Sequence, residues 1–147
     1  MLRQTNAILC SRLPEGLFVP AFLAIAEGRG LRWCNAGHPP PQLLRRDGAT
    51  AALGTTGLPL GIEADARYEE RECALEPGDV LLAATDGLWE ARREGVQFGD
   101  ARLADLLAEH GRALAPQALA ERLRDEAHAW AAQLADDLVV LAVRVRG

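Results

Sequence analysis

The apolar positions of this chain gather into short runs set apart by glycine and proline. Residues 17–26 form an apolar run bounded by Pro14-Glu15-Gly16 and by Gly28-Arg29-Gly30, which predicts a buried strand. Residues 31–35 predict a second strand after a tight Gly-rich turn, so the two pair as a hairpin. Pro39-Pro40-Pro41 breaks the chain, residues 42–46 predict a short third strand, and Asp47-Gly48 marks a turn. Residues 49–67, with Gly54, Gly57, Pro59 and Gly61, read as loop. Residues 68–75 alternate and predict a strand, closed by the turn Glu76-Pro77-Gly78-Asp79. Residues 80–85 run without a charge, as a strand buried on both faces does.

Two segments change period. Residues 100–110 and 116–133 are helical in pattern, and in the second Leu119, Leu123, Ala127 and Trp130 recur at spacings of three and four. Pro116 suits the first turn of that helix. Residues 1–12 read as the end of a helix or as a frayed terminus, and residues 138–145 close the chain as a strand. Strands, then two helices, then a strand predict an α+β layering with antiparallel sheet, not a strict βαβ alternation.

Composition narrows the picture in three ways. The chain has 147 residues, which suits one domain or part of a larger one, and it is 49% hydrophobic and 25% charged, as folded proteins are. The net charge of −5 offers no basic field for nucleic acid or an anionic membrane. Every basic residue is Arg, so no Lys nucleophile is available. The run 17–26 contains Pro20 and is too short to cross a bilayer, and no signal peptide is visible. Cys10, Cys34 and Cys73 are scattered without metal or disulfide spacing, so they read as reduced, buried thiols of a cytoplasmic protein.

Candidate chemistry sits at strand ends. Thr85-Asp86-Gly87 directly follows the apolar run, and Asp86 shares strand parity with Leu82 and Ala84, which aims it at a packed face or cleft. A charge there needs a cation or strong donors, whereas an ordinary Asp-Gly surface turn needs neither. Asp136-Asp137 precede the last strand; adjacent acids repel unless a cation lies nearby or solvent screens them. Carboxylates from two strand ends are what a hard-cation site requires. His38, in Asn35-Ala36-Gly37-His38, reads as a hydrogen-bonded loop former or as a general acid. Glu90, Arg92 and Arg93 read as a solvated helical face.

Several of these motifs fall in a familiar order. Asn35-Ala36-Gly37-His38-Pro39-Pro40, Leu58-Pro59-Leu60-Gly61, Leu75-Glu76-Pro77-Gly78-Asp79, Thr85-Asp86-Gly87-Leu88-Trp89-Glu90-Ala91, Phe98-Gly99 and Asp136-Asp137 follow one another. In that order and spacing they resemble the SpoIIE/RsbU-type serine phosphatases of the metal-dependent PPM (PP2C-like) group. The resemblance implies an antiparallel β-sandwich with flanking helices and two Mn²⁺ or Mg²⁺ ions that activate a water against phosphoserine or phosphothreonine. By position, Asp86 and Asp136 resemble metal ligands, with Gly87 and Asp137 as their neighbours and Asp137 orienting Asp136. It also implies a phosphoprotein substrate of the anti-sigma-factor-antagonist type.

The departures are specific. The family's Gly-Asp-x-x-Asp and Asp-Val-x-Gly-[His/Lys]-Gly motifs, which supply metal-bridging acids, have no match in residues 1–34, where the only acids are Glu15 and Glu27. Val139 stands where the family usually places Thr. Residues 1–147 therefore resemble the C-terminal part of the domain. Two readings stay open: a phosphatase whose missing half lies on other chain, or a catalytically inactive half-domain that binds a signalling partner. On either, the chain alone is expected to be weak or inactive, and exposed sheet leaves homodimerisation open.

Overall fold

The computed structural model describes residues 1–131 and 137–147. The elements are α1 (Leu2–Arg12), β1 (Ala21–Glu27), β2 (Gly30–Ala36), β3 (Gln42–Leu44), β4 (Thr50–Ala52), β5 (Arg71–Ala74), β6 (Val80–Ala84), β7 (Arg92–Arg93), β8 (Val96–Gln97), α2 (Gly99–His110), α3 (Pro116–Trp130) and β9 (Val140–Arg144). Every strand pair is antiparallel, so the α+β expectation holds. The chain divides into two compact units, Met1–Pro40 with Leu53–Leu75, and Pro41–Ala52 with Glu76–Gly147.

In the first unit the sheet order is β1-β2-β5. The predicted hairpin forms, with Glu27 opposite Gly30 and Ala21 opposite Ala36. Its first strand is not buried, however: β1 is the sheet's edge, and Leu17, Phe18, Val19 and Ile25 are exposed. The apolar run fixed strand type but not burial, because an edge strand has a neighbour on one side only.

The motifs of this unit lock one another. Asn35 is fully buried; its Nδ2 donates to the Leu53 carbonyl at 3.1 Å, and its Oδ1 accepts from the His38 amide at 2.9 Å. The Asn35 carbonyl accepts from the Thr56 and Gly57 amides. Gly37, at φ +78°, packs so closely on Pro59 that a Cβ would overlap that ring. In α1, Asn6 is buried and joins the same framework: its Oδ1 accepts from the Gly61 amide at 2.9 Å, and its Nδ2 donates to the Glu63 carbonyl at 2.6 Å. Residues 1–12 are thus a helix held by a side chain.

In the second unit the sheet order is β4-β3-β6-β9. The segment 49–67 is not all loop, since β4 pairs with β3 across the Asp47-Gly48 turn. Asp47 Oδ1 accepts from the Ala49 amide at 2.9 Å, a local device that shapes such turns. Val80, Leu82 and Ala84 of β6 are buried on one face, while Leu81 and Ala83 are half-buried, so one face rather than both is sealed. The sealed face joins a core with Leu88, Leu103 and Leu107 and with the α3 stripe Leu119, Leu123 and Ala127. The helical period read from the sequence is the one the fold buries. Each fully buried Leu contributes roughly 1.5–3 kcal/mol relative to exposure.

Arg144 fastens β9 to the turn after α2. Its guanidinium donates to the Gly111 carbonyl at 3.0 Å and the Leu114 carbonyl at 2.7 Å, and a cation is favourable where a helix ends. The opposite face of this edge strand leaves Val139, Leu141 and Val143 exposed. Cys10, Cys34 and Cys73 are free thiols, half-buried rather than buried.

Candidate functional site

β6 is an interior strand, and acids flank both of its ends. At its start Asp79 is wholly buried. Its Oδ2 accepts from Arg45 Nη1 at 2.9 Å and from the Glu76 amide at 3.0 Å, and its Oδ1 accepts from the Arg46 amide at 2.9 Å. Burial pushes this carboxyl up, but the Glu76 amide, the Arg45 guanidinium and the Arg46 amide outweigh it and hold the pKa below the ordinary value. The sequence motif that reads as a turn therefore carries a buried, satisfied charge that clamps the turn to residues 45 and 46.

At the far end the chain leaves the strand after Ala84. The Leu88 amide donates to the Thr85 carbonyl at 3.1 Å and the Glu90 amide to the Asp86 carbonyl at 2.9 Å, so residues 85–90 turn. Strand parity therefore stops before Asp86. Its side chain is exposed rather than turned toward the packed face, and its Oδ1 accepts from the Gly87 amide at 3.1 Å. Gly87 is buried beneath it.

Thr85 brings the second acidic segment alongside. The backbones of Thr85 and Val139 pair at 3.0 Å, extending the β6–β9 ladder past Ala84 and Val140. The Thr85 hydroxyl donates to the Asp137 carbonyl at 2.8 Å and accepts from the Val139 amide at 3.0 Å. Asp137 is exposed. The segments bearing Asp86 and Asp137 are thus joined through the Thr85 backbone and its hydroxyl. Asp136 lies outside the described residues, so its expected approach to Asp86 has no geometry to report.

The turn bearing Asp86 rests on a rigid base. Leu88 and Ala91 are buried; the Phe98 amide donates to the Ala91 carbonyl at 2.8 Å and the Gly99 amide to the Trp89 carbonyl at 3.3 Å. Trp89 Nε1 donates to Asp100 Oδ1 at 2.8 Å. The Phe98-Gly99 motif closes the loop that begins at Asp86. Between them, Arg92 and Arg93 are not on a helical face. They form β7, paired with β8 through a turn in which Glu94 (φ 51°) and Gly95 (φ 83°) both have positive φ. Two positive φ values are the mark of a type I′ hairpin turn, and Glu-Gly is not one of its strong sequence signals.

Oxygen donors on strand ends suit Mg²⁺ or Mn²⁺ in kind. In number they fall short: among the described residues no group of three or more His, Cys, Asp or Glu side chains is placed to hold a metal. His38 belongs to the first unit, and its Nδ1 donates to the Pro39 carbonyl at 2.7 Å, as a loop-forming residue does. Also among the described residues, no helix is long and apolar enough to cross a membrane.

The family model for Stage II sporulation protein E (SpoIIE) matches residues 1–146. Phosphoserine phosphatase RsbU of Bacillus subtilis is 27% identical over 113 residues, which are 75% of this chain and 34% of RsbU. The manganese-presoaked SpoIIE phosphatase domain of Bacillus subtilis superposes with a TM-score of 0.74 at 24% identity, over 99% of this chain and 64% of that one. The SiaA-PP2C domain of Pseudomonas aeruginosa gives 0.82 at 24% identity, over 98% of this chain and 59% of that one. The chain thus spans about a third of RsbU and less than two thirds of these two solved phosphatase domains. With its motifs and its fold in agreement, the chain belongs to the SpoIIE family and has the α+β fold of PP2C-type phosphatase domains.

Proposed function

We propose that residues 1–147 supply the C-terminal part of a metal-dependent protein serine/threonine phosphatase domain. Its substrate is a phosphorylated bacterial signalling protein, of the anti-sigma-factor-antagonist kind. One observation carries the reading: within a family match over residues 1–146, exposed Asp86 ends a buried strand and is tied through Thr85 to the Asp137 segment. RsbU's own name, a phosphoserine phosphatase, supports the substrate class.

On this reading Asp86 and Asp136 bind Mn²⁺ or Mg²⁺, Asp137 orients Asp136, and Gly87 keeps the ion's approach clear. A bound divalent ion supplies Lewis-acid polarisation and a water acidic enough to attack at neutral pH. The chain's own contribution is placement. β6 and the Leu88–Ala91 anchor fix the Asp86 backbone, and Thr85 fixes the 137–139 backbone beside it. Among the described residues exposed Asp86 forms no ion pair that binding would first have to break. The two-ion site of the intact family domain needs further carboxylates, which the Gly-Asp-x-x-Asp half would bring. A second reading is a protein-binding half-domain without turnover, since residues 1–34 carry no match to the Gly-Asp-x-x-Asp motif.

Mn²⁺-dependent phosphate release from a phosphoserine protein separates the two, measured for residues 1–147 and for a polypeptide extended into the upstream reading frame. The first reading predicts turnover by the extended form and little or none by residues 1–147. Turnover by neither favours the binding module. Robust turnover by residues 1–147 overturns the partial-domain assignment, and Glu15 and Asp65 become the acids to test.

A further inference from the structure

An edge strand presents a row of unpaired backbone groups that invites another strand. Among the described residues the two larger sheets end on β1 and β5 and on β4 and β9. β4 is three residues long and β5 carries Arg71 and Glu72, so shortness and charge blunt these edges. β1 ends on Glu27 and has no basic residue to meet it. β9 lacks such protection across its middle: residues 138–143 run without a charge, and Val139, Leu141 and Val143 are 60%, 56% and 48% exposed.

The free backbone groups of β9 follow from its hydrogen-bond parity. The Thr85 amide donates to the Val139 carbonyl at 3.0 Å and the Val145 amide to the Asp79 carbonyl at 2.9 Å, both in the register of the β6–β9 ladder. Odd-numbered residues from 139 to 145 therefore bond to β6, and in an antiparallel ladder Val140 and Ala142 turn their amides and carbonyls away from it. Beside residues 138–140 a groove of about 290 Å³, walled on α3 by Gln117, Ala120, Glu121 and Arg124, leaves space along this edge. Its wall has one acid and one base, so it selects no charge.

We infer that a second copy of this chain adds its own β9 to this edge, antiparallel, with a two-fold axis at Leu141. Leu141 then meets the partner's Leu141, and Val139 lies opposite the partner's Val143, so the exposed apolar row covers itself. Val140 and the partner's Ala142 exchange both backbone hydrogen bonds. Self-complementarity selects the occupant. Exposed Asp137 precedes the apolar row and exposed Arg146 follows it. Antiparallel pairing sets the acidic end of each strand beside the basic end of the other, whereas parallel pairing sets like ends together. A second copy carries the same alternation and the same charge order, as a two-fold interface requires. The contact is one strand wide, so its Kd is on the order of 10 μM or weaker. The inference does not rest on the phosphatase reading, and the variants that test it leave Asp86, Asp136 and Asp137 in place.

Sedimentation equilibrium of the full chain, from about 10 μM to about 1 mM, should show a reversible monomer–dimer equilibrium. Leu141→Lys sets like charges against each other on the axis and should weaken it at least about tenfold. Val139→Lys combined with Val143→Glu sets opposite charges across the axis and should dimerise about tenfold more tightly than Leu141→Lys. Arg146→Glu should weaken association about threefold. Ile25→Lys, on the β1 edge, should leave it unchanged, and circular dichroism reports whether each variant stays folded. Hydrogen exchange at the Val140 and Ala142 amides should slow as protein concentration rises in the wild type but not in Leu141→Lys. A chain that stays monomeric throughout, or a folded Leu141→Lys that dimerises as wild type does, would overturn the interface. So would loss of the dimer in Ile25→Lys, which would move the contact to β1. Dimerisation of residues 1–147 but not of the upstream-extended form would assign the edge to the upstream segment and overturn the second copy as its occupant. Phosphate release by the extended form reports separately on the phosphatase reading.

Discussion

Asp79 and Asp86 flank the same strand and differ in nearly everything else. Asp79 is wholly buried and spends its oxygens on two backbone amides and Arg45. Asp86 is exposed and accepts from its neighbour Gly87. A carboxylate whose lone pairs are taken inside the fold can only hold structure. One that a rigid strand carries to the surface with lone pairs to spare can take a cation. On the proposed reading the two acids separate stability from chemistry on one element, and variants at each should then report on one property and leave the other alone.

The largest effect falls on Asp79. Asp79→Ala strips the partner from Arg45 and leaves the Glu76 and Arg46 amides without an acceptor. A loss of roughly 2–4 kcal/mol is expected by urea unfolding. The same contact has a pH signature. The folded pKa of Asp79 lies below its unfolded value, so its stabilisation is complete above the unfolded carboxylate range and is lost as pH falls through the folded pKa. Asp79→Asn should flatten the acid limb of a stability profile; an unchanged limb would assign acid unfolding to other carboxylates.

Asn6 extends the comparison to a buried neutral group. Asn6→Leu leaves the Gly61 amide and Glu63 carbonyl without partners and should cost roughly 2 kcal/mol of stability in thermal melts. Thr85→Val should cost about 1 kcal/mol, since it removes the hydroxyl shared between the Asp137 carbonyl and the Val139 amide. It should also weaken divalent-ion binding, because that hydroxyl, beside the Thr85–Val139 backbone bond, helps hold the two acidic segments together. Asp86→Ala should change stability by no more than about 0.5 kcal/mol, as surface substitutions do. A loss at Asp86 as large as at Asp79 would break the division between them.

Much of this was legible in the residues and some was not, for identifiable reasons. The α3 stripe Leu119, Leu123 and Ala127 follows from period alone, because a helix buries what its spacing aligns. The 17–26 run reads as a strand, but its exposure depends on having no further neighbour in the sheet, a fact of topology. β4 was signalled by Asp47-Gly48, a hairpin signal outweighed by the glycines that follow. The β7–β8 hairpin was hidden because Glu94 adopts a positive φ that its residue type disfavours. At the site, strand-end position singled out Asp86, but parity could not foresee the turn at Thr85 that swings the side chain outward. Asp79 and Asn6 gave no signal as buried groups, since, the local Glu76 amide aside, partners that satisfy them lie some 33 and 55 residues away.

The most direct measurement is calorimetric titration of Mn²⁺ into the wild-type chain, Asp86→Ala and Asp136→Ala. The account predicts weak binding to the wild type and its loss in both variants, because a single carboxylate holds a divalent ion hardly better than water does. Equal heats in all three would contradict it, and would leave the strand end at Asp86 a surface turn with no metal chemistry.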